Sequence, residues 1–200
     1  MNEARSILAL CGPSGVGKEH IKELIKERVR PLRLSEPLVA TTRPVRDGEA
    51  ASREAGIPVG KFWDRVGEGN IVLPHRPFRR RKSPLYGFVG ATFTPARDQL
   101  VEVHSSVVER YADLVITRPS MIIGLIAARE TLEVNLSDRQ KSSSTDNVGL
   151  RLDLALIEID EIAAAHAKGN IDEVFDVNYA NRDQQVEEIV SFAEEFYARY

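Results

Sequence analysis

The segment LCGPSGVGKEH, residues 10–20, has the residue types and the spacing of a phosphate-binding loop. Its glycines let successive backbone N–H groups point inward around phosphate oxygens, and the helix that follows presents its positive N-terminal end. The lysine is then placed to reach a terminal phosphate. We therefore predict a phosphate site, although a glycine-rich turn that binds nothing has the same local sequence. The predicted binding residues are Gly12, Pro13, Ser14, Gly15, Val16, Gly17, Lys18 and Glu19.

The position after the lysine departs from the usual pattern, which ends in Ser or Thr because a hydroxyl there helps to hold magnesium. Glu19 occupies that position instead. A carboxylate is a hard oxygen donor and can serve as the metal ligand itself. It can equally repel a triphosphate, or simply stabilise the first turn of the helix through the helix dipole. The residues alone leave these three interpretations open.

Alternating strand and helix patterns surround this loop. The apolar run over residues 6–12 predicts a strand before it, and apolar residues recur at helical spacing over residues 21–29. Helical patterns also cover residues 148–163 and 186–196. Further strands are predicted at the short apolar runs PLVATT, IVLP, DLVIT, TLEVNL and EVFDVNY. The alternation predicts an α/β fold with a mostly parallel sheet flanked by helices.

Two segments interrupt the alternation. Residues 43–90 contain five of the ten prolines and few long periodic runs, so they are predicted to form an inserted lobe. Residues 137–147, SDRQKSSSTDN, are uniformly polar and are predicted to form a mobile loop. The remaining segments form one core, so 200 residues fit a single domain that carries a small lobe.

The overall composition limits the classes of partner. A net charge of −3 gives no general reason to expect binding to nucleic acid or to an anionic membrane. Cys11 is the single cysteine, so no intramolecular disulfide can form. No stretch approaches the roughly 18 apolar residues of a membrane span. We expect a cytoplasmic protein without a membrane partner, and the sequence does not indicate an oligomeric state.

Two motifs together resemble the guanylate kinase family: GPSGVGK at residues 12–18 and TTRPVRDGE at residues 41–49. Weaker similarity continues at LYGF, DRQKSSSTDNVGLRL and FDVNYAN. The resemblance implies a P-loop NTPase fold in one domain, residues 1–200, with a core at 1–42 and 91–200. It also implies an acceptor-binding lobe at about 43–90 and a lid at about 137–150.

The activity implied by this resemblance is transfer of the γ-phosphoryl group of ATP, with Mg²⁺, to the phosphate of a small acceptor. GMP is the acceptor by default. Lys18, Arg139 and Arg151 match positions that act on the transferred group, and the loop residues match positions that bind ATP. Arg43, Arg46 and Tyr86 match positions that bind the acceptor, and Glu19 would take the metal position.

Some positions depart from the guanylate kinase pattern. Val39 replaces a serine that contacts the base, and Val72 or Leu73 replaces the glutamate that binds the N–H edge of guanine. The segment DLVITRPS lacks the acidic residue that supports the metal. These features resemble ribose 1,5-bisphosphate phosphokinases, which also carry an acidic residue after the loop lysine. A non-catalytic nucleotide-binding or scaffold protein is a further alternative.

Other polar residues have less specific patterns. The basic run from Arg76 to Lys82 is typical either of a solvated loop or of an RNA contact, and we regard nucleic acid as the weaker interpretation. His75 and His104 are interpreted as packing or surface residues, because phosphoryl transfer needs no strong base. Asp98 and Glu102 have helical spacing and are interpreted as an exposed helix face.

Overall fold

The structure is a computed structural model that describes residues 5–45, 53–78, 82–93, 97–142 and 147–200, without the side chains of 139–142. Its helices and strands in chain order are β1 Ile7–Cys11, α1 Lys18–Arg28, β2 Val39–Thr41, β3 Arg53–Glu54, α2 Val59–Gly67, β4 Ile71–His75, β5 Tyr86–Val89, β6 Gln99–Val103, α3 Val108–Val115, β7 Ser120–Ile126, α4 Arg129–Ser142, α5 Val148–Ala167, β8 Glu173–Asp176 and α6 Arg182–Arg199. Over these ranges, none of the helices has both the length and the apolar character needed to cross a membrane.

The larger sheet has the strand order β6-β1-β7-β8, and every pairing in it is parallel. This confirms the predicted mostly parallel sheet flanked by helices. Strand β1 is buried along its whole length, as expected for a strand covered on both faces. Leu8 and Leu10 pack in one core cluster with residues of α1, α4 and α6, whereas Ile7 and Ala9 pack in a second cluster with residues of α3.

The smaller sheet has the strand order β3-β2-β5-β4, with β5 antiparallel to both of its neighbours. Helix α2 packs against this sheet, and Phe62 from α2 is fully buried there with Ile71 and Leu85. The sheet includes β2, so residues 39–41, which we predicted as part of the core, pair with the strands of the predicted lobe. The functional division into core, lobe and lid stays a prediction.

Two of the predicted strands are helical, and one predicted loop is too long. DLV of DLVIT ends α3, and the true strand begins at Ser120, while TLEVNL lies within α4. Both predictions were wrong because a short apolar run fits a strand or one buried helix face equally well, as with Leu132 and Leu136, four residues apart.

The loop predicted at 137–147 is helical through Ser142, since no glycine or proline interrupts α4. Residues 143–146 lie outside the described ranges.

Candidate active site

A cleft of about 960 Å³ opens next to the phosphate loop, and residues from both sheets and from α5 line it. The loop follows the carboxyl end of β1, which is where open α/β sheets usually bind their ligands. The volume lies at the upper end of the range for small-molecule sites. The cleft therefore has the size of a small-molecule binding site.

The loop between β1 and α1 has a backbone that only glycine adopts easily. Gly15 and Gly17 have φ values of +91° and +99°, in the left-handed region. A Cβ atom on Gly12 would lie 3.0 Å from the Cβ and the carbonyl oxygen of Leu125. No side chain among the described residues caps the N-terminus of α1, so the first backbone N–H groups of this helix remain for another acceptor. This geometry suits an anion.

Lys18 folds back across the loop. Its Nζ donates to the carbonyl oxygens of Gly12 at 2.7 Å and Pro13 at 3.0 Å, and lies 3.4 Å from Oε1 of Glu102. The ammonium group is therefore held at the mouth of the loop. From there it can exchange its carbonyl partners for phosphate oxygens.

Glu102 is the residue that sequence analysis misplaced most clearly. It lies in strand β6 and lines the cleft, so our interpretation of Asp98 and Glu102 as an exposed helix face was wrong. Burial raises the pKa of the Glu102 carboxyl, but Lys18, Lys22 and Arg53 together outweigh burial and hold the pKa below its usual value. Glu102 is therefore an ionised carboxylate next to the loop lysine.

Glu19 extends from the first turn of α1, where its side chain is 73% exposed. Its carboxylate lies 3.0 Å from the ammonium of Lys22, which also contacts Glu36 at 2.9 Å. Burial lowers the pKa of Lys22, but hydrogen bonding and charge from Glu36, with contributions from Glu102 and Glu19, raise it overall. Glu19 thus belongs to a network of paired charges that borders the cleft.

Arg151 connects the two sides of the cleft. From the first turn of α5 its Nη1 donates to Ser14 Oγ at 3.1 Å, and its guanidinium lies 6.0 Å from the ring centre of Phe78, which follows β4. Arg43 is nearly buried after β2, and Tyr86 begins β5. Both line the same cleft.

The other two predicted arginines cannot be placed in the same way. Arg139 lies in α4, and its side chain is outside the described part of the structure. Arg46 and the central residues of the basic run, 79–81, lie outside the described ranges. The structure thus brings Lys18, Arg43, Tyr86 and Arg151 together and leaves the roles of Arg46 and Arg139 as predictions.

Several cleft residues were not found from the sequence. Asn135 of α4 donates to the carbonyl oxygen of Gly15 at 2.8 Å and accepts from the hydroxyl of Tyr179 at 3.1 Å, which fixes the loop from behind. Arg182, at the start of α6, lines the cleft near Gly17. No local motif marks these residues, because each reaches the loop through the packing of a distant helix.

The two histidines that we interpreted as packing or surface residues also line the cleft. The ring centres of His75 and His104 lie 5.2 Å apart, and the ring of His75 stacks on Tyr86 at 6.0 Å. Glu158 of α5 lies 3.5 Å from His104, on the cleft wall that Arg151 begins. These three residues form a second polar group in the same cleft.

No model of a known protein family matches the chain. Among curated proteins, the chain is similar to a guanylate kinase from Syntrophomonas wolfei subsp. wolfei, with 29% identity over 104 residues. That alignment covers 52% of each protein, so the chain matches about half the length of this relative.

Comparison with solved structures found one with a similar fold over most of the chain. A guanylate kinase from Anaplasma phagocytophilum has a TM-score of 0.63 and 16% identity, covering 96% of this chain and 86% of that chain. An uncharacterised protein from Eubacterium ventriosum has a TM-score of 0.47 and 9% identity, covering 96% and 99%. The first of these likenesses shows that the two proteins share a fold.

Proposed function

The chain is guanylate kinase-like in its fold, and from this premise we propose that it is an ATP-dependent phosphotransferase acting on the phosphate of a small acceptor. The observation that carries the proposal is one cleft in which Lys18 and an uncapped helix N-terminus face two arginines, Arg43 and Arg151. Phosphoryl transfer depends mainly on positioning and on neutralising the charge of the moving group. A loop and arginines meet both needs without a covalent nucleophile.

The roles divide between the two sides of the cleft. The loop amides and Lys18 bind the phosphates of ATP, and Arg151 bridges from the loop to the transferred group. Arg43 and Tyr86 bind the phosphate of the acceptor, since a guanidinium can contact two phosphate oxygens at once. Arg139 and Arg46 remain proposed members of the same set.

The residues beside Lys18 fit Mg²⁺, which is usually held by one or two carboxylates together with substrate phosphates. Glu19 and Glu102 both line the cleft there. Across the described ranges, no group of three or more His, Cys, Asp or Glu side chains is arranged to hold a metal by itself. We assign the two glutamates as the protein ligands of an ion that would neutralise charge on the phosphates of ATP.

Replacing Glu19 by Gln is expected to raise the half-saturating Mg²⁺ concentration by about tenfold or more. Even replacing a residue that only supports a metal ligand lowers metal affinity about 10- to 100-fold. The matched control is Glu23→Gln, one turn further along α1. Glu23 pairs with Lys26 at 2.7 Å as Glu19 pairs with Lys22, so the control removes a comparable ion pair. An Mg²⁺ titration of ATP turnover gives the comparison. Equal titrations for both variants would remove Glu19 from the metal site.

The acceptor is GMP by default, and one observation favours a second candidate, ribose 1,5-bisphosphate. Leu73 is buried in the second core cluster, and Val72 packs against that cluster. Neither side chain can accept a hydrogen bond from guanine, and a site built on such a bond loses affinity when the acceptor group is missing.

An assay of ADP release with each candidate acceptor tests the function. We expect turnover with Mg²⁺ and ATP to rise well above the background hydrolysis of ATP for one of GMP and ribose 1,5-bisphosphate. The phosphorylated product should appear in equal amount to ADP. If ATP raises the melting temperature but no acceptor is phosphorylated, the chain is a nucleotide-binding scaffold and the proposed activity is wrong.

A further inference from the structure

Strand β4 contains an irregularity that places His75 in the cleft. The pairing register with β5 shifts between Val72 and His75, and Leu73 has a φ of +52°, a backbone conformation that residues other than glycine rarely adopt. Bulges of this kind re-aim side chains next to functional sites. The Nδ1 atom of His75 lies 3.0 Å from the carbonyl oxygen of Leu73. Since a carbonyl only accepts, Nδ1 carries the proton and Nε2 is left as a hydrogen-bond acceptor.

Burial lowers the pKa of His75 to about 4, although the hydrogen bond to the Leu73 carbonyl acts in the opposite direction. The neighbouring His104 and Arg110 lower it further. The ring is therefore neutral at physiological pH, so its free nitrogen accepts and does not donate.

In His104, which follows β6, the other ring nitrogen carries the proton. The backbone N–H of Ser106 donates to Nδ1 of His104 at 3.2 Å, so in the neutral ring the proton is on Nε2. That Nε2 is buried and has no hydrogen-bond partner among the described residues. Glu158 Oε1 is close, at 3.5 Å, but its position does not complete a hydrogen bond. A buried donor without a partner is costly unless a ligand completes it.

Glu158 supplies a second acceptor. It is only 8% exposed on α5, and in the described part of the chain the basic side chain close to its carboxylate is His104, at 3.5 Å. A carboxylate this buried needs hydrogen-bond donors. The cleft wall thus presents acceptor, donor and acceptor groups from His75, His104 and Glu158, which come from three separate elements.

His75, His104 and Glu158 lie close enough to Lys18 for one bound acceptor to reach both. His104 follows Glu102 by two residues, which corresponds to about 7 Å along a strand. Glu102 contacts Lys18. A phosphate bound near Lys18 and Arg43 would therefore leave the rest of the acceptor against the histidines.

We propose that His75, His104 and Glu158 determine acceptor specificity by binding the part of the acceptor that is not phosphate. The matching chemistry is a head group with adjacent hydrogen-bond donors beside an acceptor, which either the hydroxyls of a sugar or the N–H edge of guanine provides. The three residues thereby make the hydrogen bonds to the acceptor that Val72 and Leu73, which carry no carboxylate, cannot make. This inference rests on the proposed function, because it assumes that an acceptor occupies the cleft.

The test compares acceptor binding and turnover in the intact protein and in His75→Phe, His104→Phe and Glu158→Gln. His166→Phe is the matched control, since His166 is exposed in the last turn of α5. The probes are GMP, IMP, which lacks the 2-amino donor, and ribose 1,5-bisphosphate, each titrated calorimetrically and assayed with ATP. For the acceptor that the intact protein binds, each phenylalanine variant should raise Kd and KM about tenfold or more, because it loses one hydrogen bond. Glu158→Gln should raise both several-fold, because a neutral amide oxygen replaces a charged acceptor. The KM for ATP and the kcat should stay nearly unchanged.

The probes also separate the two sources of donors. Preference for GMP over IMP assigns the group to the guanine edge, and binding of ribose 1,5-bisphosphate without GMP assigns it to sugar hydroxyls. Unchanged acceptor Kd in all three variants would overturn this inference and leave the proposed function standing. If the intact protein binds ATP but none of the probes, both are overturned. Glu158→Gln keeps the side-chain shape, so it decides the matter if a phenylalanine variant fails to fold.

Discussion

Lys18→Met is expected to lower kcat by about 100-fold or more and to abolish the rise in melting temperature that ATP produces. Removing one preorganised hydrogen-bond donor from a developing negative charge costs about 100- to 1,000-fold in kcat, and Lys18 adds a full positive charge to such a donor. Methionine keeps the length of the side chain, so the helix and the loop should persist. The change removes the ammonium that bridges the carbonyls of Gly12 and Pro13 to the carboxylate of Glu102.

The control for this variant is Lys168→Met, which removes an exposed ion pair to Glu109 at the far end of α5. Exposed pairs contribute little to stability, so the melting temperature and its response to ATP should match those of the unmodified protein. Single-turnover kinetics and melting curves with and without Mg²⁺ and ATP provide the measurements. A Lys18→Met protein that still transfers phosphate at the normal rate would show that the loop does not bind the phosphates of ATP.

The strand, loop and helix over residues 7–28 could be predicted from the sequence because their determinants are local, whereas phosphate binding by the loop stays a prediction. The glycines, the lysine, the preceding strand and the following helix lie within residues 7–28, and the structure has them as expected. The central sheet could be predicted as a class, since strands and helices alternate. Individual strands could not, because a short apolar run such as DLVIT has no period that separates a strand from a helix end.

The composition of the cleft beyond the loop could not be predicted, because it depends on pairings between distant segments. Glu102 lies beside Lys18 only because β6 pairs with β1 in parallel, which places Leu10 opposite Glu102. A strand that is covered on both faces usually has a continuous apolar sequence. The glutamate within β6 breaks this pattern, and we therefore assigned it to an exposed helix face. His75 depends on the left-handed backbone at Leu73, for which a leucine gives no signal.

Phe62→Ala is expected to lower the free energy of unfolding by about 3–5 kcal/mol, the usual cost of emptying a fully buried phenylalanine site. Phe62 is 0% exposed in the small core between α2 and its sheet. Trp63, the next residue, is 46% exposed and meets Phe62 edge to face with ring centres 5.9 Å apart. Trp63→Ala is therefore the matched control and should cost about 1 kcal/mol.

Trp63 also reports where the loss occurs, because it is the single tryptophan of the chain. In Phe62→Ala, its fluorescence in a urea titration should change at a midpoint lower by about 1 M or more, since urea slopes are about 1–3 kcal/mol per M. The same sheet carries His75 and Tyr86, whereas the phosphate loop belongs to the other sheet. At urea concentrations between the midpoint of Phe62→Ala and that of the unmodified protein, acceptor binding by Phe62→Ala should therefore weaken far more than ATP binding. Equal loss of both ligands would mean that the two sheets unfold as one unit, and that the acceptor side has no independent stability.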